Sequence, residues 1–451
     1  MARLLIPIVA LLASVTILVM GSGLMGTLVS TRLSLEAIDP QLKGLIMSAY
    51  YIGLVIGAQQ GDWVIRRTGH IRAFAIFAAI ATVAILLLGL HVDVWAWFAL
   101  RVVIGFCLAG AYLVVESWLH ARTENRTRGR VFSVYQFLAY LGLAAGQPLL
   151  NLYEPVSTEL FMVVAALFAL CLVPVALTRT GMPQDTPGHK RMKLRQVVTA
   201  SPLAATVCVA AGLVSGAAFT LTPVFALRMG LDIAGVSLVM TSLILGGVVL
   251  QWPIGYFSDR FGRRTLMIVV GGGVALISLA LVATIGAVPL WAILTLAGVF
   301  GGLAFTLYPL AVSHANDVLQ PNDFVAVTAA LLFLWGLGAV AGPILGGWAI
   351  ALLGGPGLLA YMATIGALVA LIALLLRRDT AEAREPFRTL TRTTPVIHHL
   401  DPRALPQTEG EAEEEARTQA SDNPPSKGPH GHSPSSTEQQ GKGGFGGTGP
   451  P

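Results

Sequence analysis

Charge is what this chain has least of. Only 12% of its 451 residues are Asp, Glu, Lys or Arg, against roughly 25% in soluble globular proteins. Hydrophobic residues make up 55% and the mean hydropathy is +0.72, which excludes an ordinary water-soluble domain. Cysteine is scarce as well. Cys107, Cys171 and Cys208 all sit in apolar segments with no metal-ligand spacing, so they read as packing residues, with a reactive thiol lining a cavity as the other reading. The motifs H-E-x-x-H, G-x-S-x-G and G-x-x-x-x-G-K-[ST] are missing. No enzyme activity, metal or cofactor is therefore expected, and ATP-driven transport would need a separate ATPase. The net charge of +5 is no nucleic-acid footprint, because residues 1–378 carry net +9 and residues 379–451 carry net −4.

What is there is a series of apolar runs. A hydrocarbon core of about 30 Å needs roughly 20 apolar residues per helix. Runs of that length predict twelve spans, at 5–28, 43–61, 71–90, 95–117, 131–151, 158–177, 201–227, 235–257, 265–285, 290–313, 324–351 and 355–376. The first is longer than the usual h-region of a signal peptide and reads as a retained helix. Basic residues set the orientation. One set of loops holds Arg66, Arg67, Arg72, Arg122, Arg126, Arg128, Arg130, Arg179, Lys190, Arg191, Lys193, Arg195, Arg260, Arg263 and Arg264, and the opposite loops hold only Arg32, Lys43 and Arg228. That asymmetry predicts both termini and the central linker in the cytoplasm. Beyond Arg378 the composition turns acidic at Glu411 to Glu415 and then rich in Pro, Ser and Gly, which predicts a disordered tail, with a regulatory or partner-binding role as the other reading. The expected parts are a six-helix bundle at 1–177, a cytoplasmic linker at 178–200, a second bundle at 201–376 and a disordered cytoplasmic tail at 377–451.

The two halves look alike. At an offset of 196, Trp95 meets Trp291, Gly105 meets Gly301, Tyr112 meets Tyr308, and Gly142 and Gly146 meet Gly338 and Gly342. At an offset of 193, Gly53, Arg67 and Gly69 meet Gly246, Arg260 and Gly262. Duplicated halves are how transporters build two bundles that rock around a shared site.

Between the eighth and ninth spans, Gly255-Tyr256-Phe257-Ser258-Asp259-Arg260-Phe261-Gly262-Arg263-Arg264 makes a tight basic turn. Its first-half counterpart keeps Arg67 and Gly69 but has Arg66 where the Asp belongs, with Asp62 one helical turn earlier. Gly53, Gly57 and Gly61 form a small face suited to close helix packing. Arg101 lies about six residues into the fourth span, roughly 9 Å from its edge. A charge at that depth costs at least about 2.5 kcal/mol unless paired or solvated. It either faces a cavity or bonds backbone carbonyls and headgroups. Glu116 is the one acidic residue inside a first-half apolar run. It either pairs with Arg67 or Arg130 in a latch, or takes up and releases a coupling proton. Gly338, Gly342 and Pro343 form a Gly-Pro bend that Gly142, Gly146, Gln147 and Pro148 partly repeat. Of the polar and aromatic residues at mid-depth (Tyr50, Tyr51, Gln59, Gln136, Tyr140, Gln147, Gln251, Trp252, Tyr308 and Trp335), Tyr140, Gln147, Gln251 and Tyr308 are the preferred cavity candidates.

The spacing G-x-x-x-D-R-x-G-R-R resembles the signature loop of the major facilitator superfamily, and the Arg101-to-Gly105 spacing resembles its R-x-x-x-G motif. The stretches VVESWL, GQPLL, QWPIGYFSDRFGRR and FTLYPLAVS are similar to its YcaD-type bacterial inner-membrane branch. The resemblance implies an all-α membrane fold of two pseudo-symmetric six-helix bundles. It also implies a gating latch at Asp259, Arg260, Gly262, Arg263 and Arg264, in which Arg260 reaches an acidic group on a neighbouring helix. The implied activity is alternating-access transport of a small organic solute, a metabolite or moderately hydrophobic compound, probed by Arg101, which either helps couple protons or holds an anionic group. The first, fourth, seventh and tenth helices are expected to face the site. Proton coupling is the expected drive, with an uncoupled uniporter and a membrane sensor on the same scaffold as alternatives. A monomer in the lipid bilayer is expected.

Overall fold

With no water in a bilayer core to satisfy backbone N–H and C=O groups, long apolar segments are confined to helices. The computed structural model describes residues 2–123, 125–177, 194–283, 288–318 and 324–376, and for 2–7, 121–122, 125–129 and 324–326 the backbone alone. The expected tail and most of the linker, 178–193, lie outside these residues. The described elements are α1 (Ala2–Leu35), α2 (Pro40–Thr68), α3 (His70–Leu90), α4 (Val94–Arg122), α5 (Asn125–Gly146), α6 (Glu159–Leu170) and α7 (Leu172–Ala176). After them come α8 (Leu194–Ala200), α9 (Pro202–Arg228), α10 (Ile233–Phe261), α11 (Arg263–Ala283), α12 (Leu290–Val318), α13 (Phe324–Leu353) and α14 (Gly357–Leu375). No strand occurs among the described residues. Eleven described helices are long and apolar enough to cross a membrane. The span expected at 131–151 is not among them.

That fifth span is not one α-helix. Its α-helical part ends at Gly146, and Gln147–Asn151 is a 3₁₀ turn. Pro148 lacks the N–H that would continue the α-helical ladder. The sixth span likewise breaks at Cys171 between α6 and α7, because the Pro174 ring crowds the carbonyl four residues back. Elsewhere the helices overrun the apolar runs: α4 continues to Arg122 and α12 to Val318. Asp93 and Asp232 cap α4 and α10, accepting from Ala96 N at 2.7 Å and Gly235 N at 2.8 Å.

The duplication read from the sequence reappears as backbone contact. A Cβ at Gly53 would overlap the carbonyl oxygen of Val102, and one at Gly105 that of Tyr50, where α2 crosses α4. In the second half, Gly246 stands against Gly298 O and Gly301 against Leu243 O, where α10 crosses α12. All four positions correspond at the offsets of 193 and 196. Gly142 and Gly146 seat α5 on α1 as Gly338 and Gly342 seat α13 on α9. Such approaches replace the missing hydrophobic drive between helices in lipid with backbone-to-backbone packing. The loops after α2 and α10 turn on Gly69 (φ 80°) and Gly262 (φ 92°), in a region that a side chain disfavours.

Two apolar cores result. One joins buried residues of α1 to α7 with Ala226 and Val236, and the other joins residues of α8 to α14 with Tyr51. The halves meet at the end that carries few charges. There Gly44 packs on Pro343, Gly347 on Pro40, and Ser30 Oγ donates to Thr220 O at 2.5 Å. Tyr140 and Ala144 of α5 cluster with Ile244 of α10, and deeper in, Val55 touches Gly336. At the arginine-rich end the ion pairs among the described residues all stay within one half. Replacing Gly301 by Leu is expected to cost about 1–3 kcal/mol through overpacking. Gly272→Ala, where a Cβ meets nothing within 4 Å, is expected to be neutral or up to about 1 kcal/mol stabilising. Thermal unfolding followed by intrinsic fluorescence distinguishes the two.

Candidate functional site

Between the halves, at mid-depth, lies a cavity of about 150 Å³. Its walls come from α1 (Ser22, Met25, Thr27), α2 (Tyr50, Tyr51, Leu54), α4 (Arg101, Tyr112), α5 (Gln136, Tyr140), the 3₁₀ turn (Gln147), α6 (Phe168), α9 (Phe219, Thr220), α10 (Met240) and α13 (Trp335). No carboxylate lines it, and Arg101 is its one charged residue. Arg101 is 2% exposed, and its guanidinium carbon stands 5.1 Å from the centre of the Tyr50 ring. From there a chain of edge-to-face rings crosses to the other half: Tyr50 to Tyr51 at 5.3 Å, Tyr51 to Trp335 at 6.3 Å and Trp335 to Tyr308 at 6.2 Å. Rings in this geometry attract through their quadrupoles, and the face of Tyr50 attracts the cation. The aromatic chain therefore carries contact from the charge on α4 to α12.

The structure brings Arg101, Tyr140 and Gln147 into one cavity and leaves Gln251 and Tyr308 out of its lining. Gln147 is buried, accepts from Thr27 Oγ1 at 2.6 Å and donates to Leu143 O at 3.1 Å, so it ties the 3₁₀ turn to α1. Tyr308 is fully buried behind Trp335, one layer from the cavity. The expected facing of the tenth helix, α12, is accordingly not what is observed: α12 lends no lining residue, and α2, α5, α10 and α13 do. Polarity at mid-depth had pointed to Tyr50, Tyr51, Gln136 and Trp335. Phe168, Phe219, Met25 and Met240 carry no signal that separates cavity from core.

Glu116 is fully buried on α4. Its partner is neither Arg67 nor Arg130. Tyr135 Oη donates to Glu116 Oε1 at 2.9 Å, and Oε2 has no hydrogen bond. Arg130 is exposed, and Arg67 lies 5.5 Å over the ring of Trp63.

In the second-half loop, Arg263 takes the place expected of Arg260. Both faces of its buried guanidinium are engaged: Nε and Nη2 donate to the Asp317 carboxylate, and Nη1 stands 3.6 Å from Asp259 Oδ1. Arg264 donates to Ala373 O at 2.6 Å and Leu374 O at 2.9 Å, capping the last carbonyls of α14. Arg260 is exposed, 5.8 Å over Phe261. The loop thus staples α10, α12 and α14 together within the second half. In the first half, Arg66 pairs with Asp62 at 2.6 Å on its own exposed helix face, and His70 stands where Arg263 does.

A duplicated all-helical fold with glycine-mediated crossings, a basic turn after α2 and α10 and a cavity between the halves defines a membrane transporter scaffold. The sequence profile of the Major Facilitator Superfamily matches residues 10–236 and 229–418, and the chain belongs to this family. It is 31% identical over 346 residues to the uncharacterized MFS-type transporter YcaD of Escherichia fergusonii, covering 75% of this chain and 87% of that protein. In fold it is similar to the nucleoside transporter NupG, with TM-score 0.67 and 17% identity over 83% of this chain and 98% of that one. It is also similar to a bacterial homologue of the human lysosomal transporter Spinster in an inward-facing, unoccupied conformation, with TM-score 0.61 and 14% identity over 82% of this chain and 92% of that one. The chain is therefore a multi-pass membrane protein of a family that carries out transport.

The side chains of Arg263 and Asp317 are 4% and 5% exposed. Asp317→Asn should leave the buried Arg263 charge with Asp259 alone at 3.6 Å and destabilise the protein by up to about 3 kcal/mol. Adding Arg263→Met should recover part of that loss, read as the midpoint of thermal unfolding.

Proposed function

We propose that this protein is a secondary transporter that moves a small organic solute by alternating access, with residues 1–177 and 201–376 as the two rocking units. The observation that carries this reading is the cavity between the halves, sealed at the low-charge end by the packing of Gly44 on Pro343 and Ser30 on Thr220. With the arginine-rich loops in the cytoplasm of a bacterial cell, this is a state closed toward the outside of the inner membrane, with both termini inside. The loop at Asp259, Arg260, Gly262, Arg263 and Arg264, with its partial copy at Arg67 and Gly69, is the latch that works at the cytoplasmic end. In the state described, Arg263 pairs with Asp259 and Asp317, and Arg264 caps α14, within the second half. The tail from 377 and the linker play no part in the translocation step.

Proton coupling is the proposed drive, with Glu116 as the coupling carboxyl. It is buried on the same helix as Arg101, and among the described residues it has a tyrosine and no cation as partner. Its charge state is then tied to how α4 and α5 pack, which is what a coupling site needs. The solute-binding unit is the monomer, since both halves of the cavity come from one chain.

Three measurements on proteoliposomes test this. Cross-linking cysteines placed at Ser30 and Thr220 should abolish flux, and reduction should restore it; flux that persists through the cross-link contradicts alternating access. Collapsing the proton gradient, or Glu116→Gln, should remove accumulation against a gradient while leaving exchange intact; accumulation unaffected by either would make the protein a uniporter. Truncation after Arg378 should leave flux unchanged, whereas a tail-dependent signal without flux would mark a sensor.

A further inference from the structure

We infer that the central cavity takes a monoanionic carboxylate carried on a body the size of a single ring, an assignment that rests on the transport reading above. Arg101 is the cavity's one charged residue, and it is 2% exposed. Among the described residues its contact is the ring of Tyr50; its Nε has no hydrogen-bond partner, and no ion pair includes it. A guanidinium has five N–H donors and no acceptor. A cation taken out of water and left unpaired is strongly unfavourable. A ligand in the cavity can meet these donors, and a carboxylate matches the guanidinium fork with two oxygens.

The other half of the cavity has unmet hydrogen-bonding capacity as well. Trp335 Nε1 on α13 is a buried donor with no partner. Arg101 and Trp335 line one cavity from opposite halves of the molecule. An anion between them is held by both bundles, as a transported solute must be.

Charge and volume narrow the class. One cation with no second beside it balances one negative charge, whereas a dianion would leave an excess charge in a low-dielectric site, where it is least screened. The volume of about 150 Å³ is that of an apolar cavity known to hold benzene. The walls are apolar and aromatic: Tyr50, Tyr51, Phe168, Phe219 and Trp335 face it with Met25 and Met240. Rings and thioethers suit a flat apolar body.

Titration calorimetry on the purified full-length protein at neutral pH, with benzoate, benzyl alcohol and benzylamine as probes, tests the inference. Benzoate should bind at least about ten-fold tighter than its neutral and cationic isosteres. Arg101→Gln should weaken benzoate by at least about ten-fold, and Arg101→Lys, which keeps the charge without the fork, should fall between. Lys43→Gln, away from the cavity, should change nothing. Equal binding of benzyl alcohol, undiminished benzoate binding in Arg101→Gln and Arg101→Lys, or no saturable benzoate binding up to about 10 mM would overturn it. Counterflow of labelled benzoate in proteoliposomes separates the two readings. Binding through Arg101 without counterflow contradicts transport and leaves the site standing. Counterflow of benzyl alcohol as fast as benzoate contradicts the carboxylate assignment alone.

Discussion

A hydrocarbon core tolerates neither an open backbone group nor an unpaired charge, and this chain is organised by how it meets those two demands. Helices answer the first. For the second, the described structure keeps nearly every charge at the ends of helices, where ion pairs, carbonyl caps and aromatic faces receive it. The exceptions are the Glu116 carboxyl, met by Tyr135, and the Arg101 guanidinium, met by the face of Tyr50. A charge within the hydrocarbon core is costly, about 2.5 kcal/mol or more at its centre on insertion scales. That these two are retained, both on α4, places the working chemistry of the molecule on that helix.

The glycines let the rest of the fold turn about that helix. At Gly53 and Gly105, α2 and α4 touch through backbone, and at Gly246 and Gly301, α10 and α12 do the same. Each half is thereby bound tightly within itself. The second-half loop strengthens this, since Arg263 and Arg264 tie three helix ends into one unit. Contacts between the halves are of another kind: a hydroxyl on a carbonyl, ring edges, small residues on proline. Rigid halves joined by a separable seam are what a rocking motion requires.

Much of this was legible in the sequence because it rests on local pattern. Apolar length gave the spans, and glycine, tryptophan and tyrosine in register gave the duplication. The depth of Arg101 in an apolar run left a cavity and a backbone or headgroup partner both open, and the fold sets it on the cavity wall with Tyr140 and Gln147. What could not be read depended on which helix faces which. The pairing of Asp317 with Arg263 depends on α12 packing beside α11. Glu116 looked like a partner for arginine until Tyr135 was found beside it. Tyr308 and Gln251 have the right polarity and depth, yet helix rotation turns them away from the cavity. The bend at Pro148 was foreshadowed by proline chemistry, whereas the break at Pro174 was not read, because hydropathy alone runs through it.

The central claim is that two rigid halves pivot about a cavity carrying Arg101, opening one end as the other closes. Spin labels at Trp63 and Tyr256, exposed near the arginine-rich end, and in a second protein at Leu90 and Leu353, exposed at the opposite end, measure it directly by pulsed electron–electron distances in lipid nanodiscs. The account predicts that benzoate shifts the two distance distributions in opposite directions. Distances that change together, or single narrow distributions at both ends that benzoate leaves unmoved, would contradict it.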